Sequence, residues 1–211
     1  TIEKIKKNLN QFKKASLVTE TDHGIYDGLN RALKRVTAKF ICVLHTNDIF
    51  ASNDILEMAA LCLKESNFQL AYGDVLFYSR GDPNYIVRHW VSGNFKKNKL
   101  FLGWMPPHTT LFIKKEIFES FGIYRTDLKV SADYDFILRV LKSDKIKINY
   151  FMKPIVKMSV GGISTSGFKS LIIKLKEDFI VLYAHYSIFA FIPLIMKRIL
   201  KIQQFLFFRH S

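Results

Sequence analysis

The apolar run Phe40–Leu44 constrains the fold most, because five consecutive apolar residues stand between polar segments. Such a run is typical of a β-strand that is covered on both faces. An apolar stripe at helical spacing precedes it, from Ile25 to Val36, and residues 54–65 indicate a second helix with Asp54 in its first turn. A buried strand between two helices predicts an α/β fold with a mostly parallel sheet.

The other segments continue this alternation. Leu70–Tyr78 and Tyr85–Val91 are rich in β-branched and aromatic residues and flank a turn cluster, which predicts an antiparallel hairpin. Ser131 is placed to cap one helix, and Gly122 to end another. We expect further strands over 15–19, 110–114 and 146–151, and further helices over 1–14, 115–121 and 132–143. Residues 1–166 are then one α/β domain.

The chain is strongly basic, with 32 Lys and Arg against 18 Asp and Glu and a formal net charge of +14. This excess favours an anionic partner, which is a nucleic acid, a nucleotide phosphate or a lipid surface. A solvated basic surface explains the charge equally well. No Lys/Arg run is long enough to resemble a nucleic-acid-binding tail, so we expect no nucleic acid partner.

Both cysteines, Cys42 and Cys62, lie in apolar contexts, which predicts buried free thiols. Neither a disulfide framework nor a metal-binding Cys/His spacing is present in the sequence. A reducing cytoplasm is the expected location.

Residues 167–211 interleave basic and apolar residues, with seven Lys and Arg against Glu177 and Asp178, hence a charge of +5. This pattern predicts an amphipathic helical tail that lies in a membrane interface. A packing helix, or one that joins two copies as a homodimer, is an alternative. A membrane span is a further alternative, although Pro193 and several polar groups interrupt the apolar run.

Asp48 follows the buried strand, within His45-Thr46-Asn47-Asp48. Ligands of open α/β sheets bind beyond the carboxyl ends of the strands, and a carboxylate there can hold Mg²⁺ or Mn²⁺ against a diphosphate. The Asn47 amide can hydrogen-bond a ribose hydroxyl. A polar turn in which Asp48 caps the next helix is the alternative.

Two further segments carry polar groups suited to chemistry. Asp133 and Asp135 lie in the first turn of a helix, where a positioned carboxylate can take a proton from a hydroxyl; both also simply suit a helix N-terminus. Trp104 and His108 flank two prolines that stiffen the chain. They suit a sugar-binding wall, or a rigid connector with a buried Trp.

These segments occur in an order that resembles a known family. The motifs, in order, are Asp22–Asn30, His45–Asp48, Tyr72-Gly73-Asp74, Gly103–His108 and Ser131–Asp135. With these motifs, over roughly residues 1–165, the chain resembles family 2 glycosyltransferases of the GT-A fold, most of all the branch that builds bacterial exopolysaccharide, colanic-acid-type and O-antigen repeat units.

The resemblance implies roles for single residues. Asp133 matches the catalytic base, and Asp48 matches the last carboxylate of the Asp-x-Asp-type metal motif. Asn47 is a departure, since the family usually has an Asp that contacts ribose there. Gly161–Ser164 matches a loop that often closes over the donor. The segment that flanks the nucleotide includes Asp22, Gly24 and Asn30.

The implied function is inverting, metal-dependent transfer of a sugar from a UDP- or GDP-sugar to a lipid-linked saccharide, peripherally at the inner face of the cytoplasmic membrane. The family normally begins with two strands and a helix, and no segment of residues 1–211 resembles them. We therefore expect this chain alone to show weak or absent turnover. An inactive remnant, or a scaffold subunit of a polysaccharide-assembly complex, is the alternative.

Overall fold

The computed structural model describes residues 2–11, 15–65, 67–160 and 168–206. The helices among them are α1 (Ile2–Asn8), α2 (Ile25–Arg35), α3 (Ile55–Glu65), α4 (Asn98–Phe101), α5 (Lys115–Phe121), α6 (Ala132–Leu141), α7 (Phe168–Tyr186) and α8 (Phe191–Leu206). The strands are β1 (Phe40–Ile41), β2 (Ile49–Phe50), β3 (Leu70–Ser79), β4 (Asp82–Trp90), β5 (Phe112–Lys114) and β6 (Ile148–Ser159). Short 3₁₀ turns cover Leu9–Gln11, His108–Thr110 and Ser187–Ala190.

The fold is mixed α/β, as expected, but the prediction of a mostly parallel sheet is wrong. The strands run in the order β1-β5-β3-β6-β2, with β4 also paired to β3. Among the described strands only β3 and β6 pair in parallel, with Leu70 opposite Ile148. A continuous apolar run shows that a strand is covered on both faces, and this holds for either direction of pairing, so the sequence pattern did not fix the direction.

Helices cover both faces of the sheet because β3 alternates its side chains between two cores. Leu70 and Tyr72 join a core formed with α2, α5, α6 and α7. Ala71 and Val75 face the opposite way and pack with α3, whose Ile55 is fully buried.

Several local predictions are confirmed. The hairpin forms as β3 and β4, and α2, α3 and α5 have nearly the predicted bounds. Gly122 ends α5 with a φ of 78°, a conformation that favours glycine.

Other local predictions need correction. Residues 15–19 form no strand, and the run from Phe40 is a strand only to Ile41. Ser131 precedes α6, but its side chain makes no capping hydrogen bond. Cys42 and Cys62 are free thiols but only partly buried. Gly161–Ser164 and the predicted boundary at 166/167 lie outside the described residues.

The C-terminal helices pack against the rest of the chain. Helix α7 contacts α6, and α8 contacts α4 and β4. The backbones approach closely at Gly103, where an added β-carbon would lie 2.4 Å from the Pro193 carbonyl oxygen and 2.7 Å from the Lys197 backbone nitrogen. A glycine at position 103 therefore lets α8 sit directly on the backbone beside Trp104.

We predict that Gly103→Ala lowers the free energy of unfolding by about 2–4 kcal/mol, since it adds overpacking to the cost of a positive φ in a non-glycine residue. Gly81 is a matched control, because it also has a positive φ but nothing lies within 4 Å of an added β-carbon. Gly81→Ala should cost only about 1–2 kcal/mol. Urea denaturation measures both; equal losses would contradict the close packing of α8.

Candidate functional site

The segment after β1 forms a tight turn. The backbone N–H of Asp48 donates to the His45 carbonyl oxygen (3.0 Å), and the Asp48 carboxylate lies 3.4 Å from the His45 backbone nitrogen. Asn47 adopts a φ of 70°. The Tyr78 hydroxyl, on β3, donates to the Asn47 carbonyl oxygen (2.6 Å). The central strand therefore holds the turn that presents Asp48.

Asp133 is the second residue of α6, with its side chain 23% exposed. Its Oδ1 accepts hydrogen bonds from the Tyr26 hydroxyl (3.1 Å) and from the Tyr134 backbone N–H (2.8 Å). The same Tyr26 hydroxyl lies 2.9 Å from the Val130 carbonyl oxygen. The carboxylate is thus held on one side and remains accessible to a substrate on the other.

His108 joins these two places. Its Nδ1 lies 3.8 Å from Oδ2 of Asp133, and its Nε2 lies 3.2 Å from Nε2 of His45. The two imidazole rings are tilted at 47° with centroids 4.9 Å apart. The 3₁₀ turn that begins at His108 follows Pro107, whose fixed φ of −62° directs the chain into it. The structure therefore brings Asp48, His45, His108 and Asp133 into one cluster.

Burial controls the charge of this cluster. It lowers the pKa of His108, although the Asp133 carboxylate acts in the opposite direction. It also lowers the pKa of His45, with His108 adding to the effect. Both rings are therefore neutral at neutral pH, and one donates its N–H to the other. Burial raises the pKa of Asp48, against the opposing influence of His45.

The predicted nucleotide-binding residues of α2 lie beside the cluster rather than in it. The Asp22 carboxylate accepts a hydrogen bond from the Gly24 backbone N–H (3.1 Å), just before α2 begins. Asn30 is buried, and its side-chain amide pairs with both the carbonyl oxygen (2.8 Å) and the N–H (3.0 Å) of Tyr124. Asn30 therefore joins α2 to the chain after α5, and both polar atoms of its amide are bonded there.

Trp104 also points elsewhere. Its indole N–H donates to the Ser92 carbonyl oxygen (2.7 Å), and its ring packs edge-on against Tyr72. The ring is half-buried and contacts the core that α6 shares with the sheet. Of the pair Trp104 and His108, only His108 reaches Asp133.

Two residues of the site, Tyr26 and His45, have no role predicted from the sequence, and neither has the buried carboxylate Asp74 elsewhere in the sheet. Tyr26 is an apolar-face position of a helix, and nothing in its spacing indicates that its hydroxyl meets Asp133. His45 was visible only as part of the His45–Asp48 motif.

Asp74 gave the clearest signal, as a carboxylate inside an apolar strand. Burial opposes its ionisation, but hydrogen bonds from His89, the Ser92 N–H and Tyr150 outweigh this and hold its pKa below the ordinary value.

The turn at Asp48 offers one protein carboxylate to a metal ion. Among residues 2–11, 15–65, 67–160 and 168–206, no group of three His, Cys, Asp or Glu side chains could hold a metal. Mg²⁺ commonly binds through one or two carboxylates together with water and substrate phosphates. The turn therefore fits an ion that is bound jointly with a diphosphate, and not a metal site built from protein side chains alone.

The chain matches no family model. It is 26% identical over 149 residues to proteins described as PGL/p-HBAD biosynthesis glycosyltransferases, from Mycobacterium bovis and Mycobacterium tuberculosis. The chain is related to these glycosyltransferases. The match covers 70% of this chain but only 56% of the relatives, so the chain spans about half the length of the curated relatives it matches.

Solved structures of Staphylococcus aureus TarS share the fold. The TarS 1–349 structure has a TM-score of 0.57 at 12% identity, covering 97% of this chain and 76% of TarS. TarS 1–349 in complex with UDP-GlcNAc gives 0.57 at 13% identity, covering 86% and 54%. A third TarS structure holds UDP and gives 0.55 at 14% identity, covering 87% and 52%. These similarities show that the chain shares the mixed α/β fold of the TarS structures.

We predict that His108→Gln flattens the dependence of stability on pH. Burial lowers the pKa of His108 in the folded protein, whereas an unfolded histidine takes up a proton below about pH 6.5. The unfolded chain then binds more protons, so the free energy of unfolding falls as the pH falls below about 6.5. Denaturation between pH 5 and 8 measures this slope, with His23→Gln, at an exposed histidine, as the control. An unchanged slope in His108→Gln would contradict a buried neutral His108.

Proposed function

We propose that this chain carries the catalytic part of an inverting glycosyltransferase that uses a nucleotide-sugar donor. The observation that supports it most is the cluster in which His45 and His108 connect the Asp48 turn with Asp133. A donor whose diphosphate lies at Asp48 would place its sugar toward Asp133, with no other carboxylate between them in the described cluster. In an inverting transfer the diphosphate leaves from one side of the anomeric carbon, and the base acts on the acceptor at the other side. Asp48 and Asp133 would serve these two sides.

Asp133 acts as the general base. Tyr26 and the Tyr134 amide hold its Oδ1, which leaves Oδ2 to take the proton of the acceptor hydroxyl as that oxygen attacks the anomeric carbon. The bond to the diphosphate breaks on the opposite side, and the configuration inverts. Positioning and charge stabilisation provide most of the rate.

Asp48 would hold Mg²⁺ or Mn²⁺, which supplies positive charge next to the departing diphosphate. Asn47 then offers an amide to the ribose in place of a carboxylate. Tyr78 holds the turn from its backbone side, and we expect Asp48 to keep its place when a donor binds.

The donor that we propose is a UDP-sugar, with a GDP-sugar as the alternative. Support comes from the TarS structures, two of which hold UDP or UDP-GlcNAc. We propose a lipid-linked saccharide of the cell envelope as the acceptor, in line with the biosynthetic role in the names of the mycobacterial relatives.

The exposed apolar surface of the C-terminal helices supports a peripheral position at the cytoplasmic membrane. Large apolar side chains on α7, on the 3₁₀ turn and on α8 are exposed, Ile188 to 66% and Ile195 to 58%. Lys176 and Lys201 are exposed on the same helices and suit anionic headgroups. The stretch Ser170–Ile202 is also long and apolar enough to cross a membrane by length and composition. Because α7 and α8 contact the α/β core, we propose interfacial binding.

A scaffold subunit without activity is the second candidate. It is favoured by Asn47 at a position where the resembling family has an Asp, together with the single carboxylate at the turn. Mn²⁺-dependent binding of a nucleoside diphosphate separates the two candidates, because only the enzyme requires it.

We predict that Asp133→Asn, in the longest form that the gene encodes, lowers the rate of sugar transfer by about 10²–10⁴-fold, since an amide cannot accept the proton. Donor binding, measured by calorimetry, should be unchanged. Asp144→Asn is the control, as this carboxylate is 85% exposed and contacts Lys97. Full transfer by Asp133→Asn would refute the assigned base.

We predict that the double variant Ile188→Glu with Ile195→Glu binds vesicles of phosphatidylglycerol and phosphatidylcholine about tenfold more weakly, or worse, because apolar area no longer leaves water. Vesicle flotation measures the bound fraction. Met152→Glu is matched, since Met152 is an apolar residue on β6 that is 72% exposed. Equal loss of binding in both variants, or in neither, would argue against this surface.

A further inference from the structure

Glu177 lies in the middle of α7 and is buried, yet its carboxylate faces the segment just before α6. Its Oε1 accepts a hydrogen bond from the Lys129 backbone N–H (2.9 Å). Its Oε2 accepts from the N–H groups of Val130 (2.8 Å) and Ser131 (3.0 Å). A buried carboxylate is costly unless it is well paired, and three consecutive amides supply that pairing. One side chain thus fixes the backbone of residues 129–131.

This backbone is connected to the base. The Tyr26 hydroxyl lies 2.9 Å from the Val130 carbonyl oxygen and 3.1 Å from Oδ1 of Asp133, so its single proton is shared between these two acceptors. Val130 therefore contacts Glu177 through its backbone N–H and Tyr26 through its carbonyl oxygen. A displacement of this residue's backbone would move the hydroxyl that contacts Oδ1 of Asp133.

Asp178 adds a second attachment at the same place. It accepts a hydrogen bond from the Ser131 hydroxyl (2.8 Å) and one from Lys197 of α8 (3.1 Å). Both acidic residues of α7 therefore hold the residues immediately before Asp133. Burying two carboxylates costs more free energy of desolvation than packing α7 against the core with apolar side chains alone.

We propose that Glu177 is a positioning residue for Asp133, acting through the 129–131 backbone and Tyr26. This rests on the proposed function of Asp133 as the base. Glu177 does not contact the substrate. It fixes the Asp133 carboxylate at the place where that carboxylate meets the acceptor hydroxyl. Misplacement of a reacting group by about 1 Å can cost on the order of 100-fold in rate.

The test is Glu177→Gln in the longest form that the gene encodes. The glutamine has a similar volume, but it turns an N–H₂ group toward backbone donors. We expect the amides of residues 129–131 to exchange hydrogen faster, and kcat to fall by about 10- to 100-fold with the donor KM unchanged. Glu119→Gln, the same substitution at an exposed position on α5, should change neither quantity.

A double-mutant cycle distinguishes positioning from simple support of the fold. If Glu177 acts through Tyr26, then Glu177→Gln lowers kcat much less in a Tyr26→Phe background than alone. Losses that multiply independently, or a Glu177→Gln protein with normal kcat, would overturn the proposal. Full transfer by Asp133→Asn would instead overturn the proposed function itself.

If the Glu177→Gln protein does not fold, a second variant, Tyr26→Phe, tests the same proposal. Tyr26→Phe keeps the three contacts of Glu177 with backbone amides and removes the hydroxyl that lies between the Val130 carbonyl oxygen and Asp133. We then expect lower kcat with unchanged hydrogen exchange at residues 129–131. Normal kcat in Tyr26→Phe would show that nothing passes from this segment to the base, and would also overturn the proposal.

Discussion

The pairing of β3 with β4, β5 and β6 is the constraint on which the rest of the structure depends. A glycine is needed at position 73 for β3 to pack beside β6, because an added β-carbon would lie 2.1 Å from the Ile155 side chain and 2.8 Å from the Lys153 carbonyl oxygen. Because β3 is central, its alternate side chains form both cores, and its Tyr78 holds the turn of Asp48. The position of the candidate site is therefore a consequence of sheet packing.

Buried polar groups that hydrogen-bond one another hold the site in place. His45 and His108 share one hydrogen bond as neutral rings, and Glu177 is matched by three amides. Such arrangements keep their geometry because breaking one of these hydrogen bonds leaves a buried donor or acceptor unsatisfied, which costs free energy. The C-terminal helices thus contribute to the site from one face while they expose apolar side chains on the other.

Local features could be predicted from the sequence because they depend on near neighbours. The β3–β4 hairpin follows from two β-rich runs around a turn, and the end of α5 follows from Gly122. Asp48 and Asp133 could be selected by their motifs, and the related glycosyltransferases agree with the resemblance.

Long-range features could not be predicted in this way. The antiparallel pairing of β1 with β5 joins residues about 70 positions apart, and no periodicity encodes its direction. Ser131 has the residue type of a helix cap, yet its hydroxyl bonds to Asp178, which is 47 positions away. The side-chain amide of Asn30 and the indole N–H of Trp104 donate hydrogen bonds to backbone carbonyl oxygens elsewhere in the fold. In each case a tertiary partner competes with the local or ligand-binding role that the residue type suggests.

The most direct measurement is a crystal structure of the longest form that the gene encodes, with a UDP-sugar and Mn²⁺. We expect the diphosphate and the ion beside Asp48, and the anomeric carbon on the side of the cluster that faces Asp133. A nucleotide bound away from the His45–His108 cluster, or a sugar that Asp133 cannot approach, would contradict a glycosyltransferase site at this place.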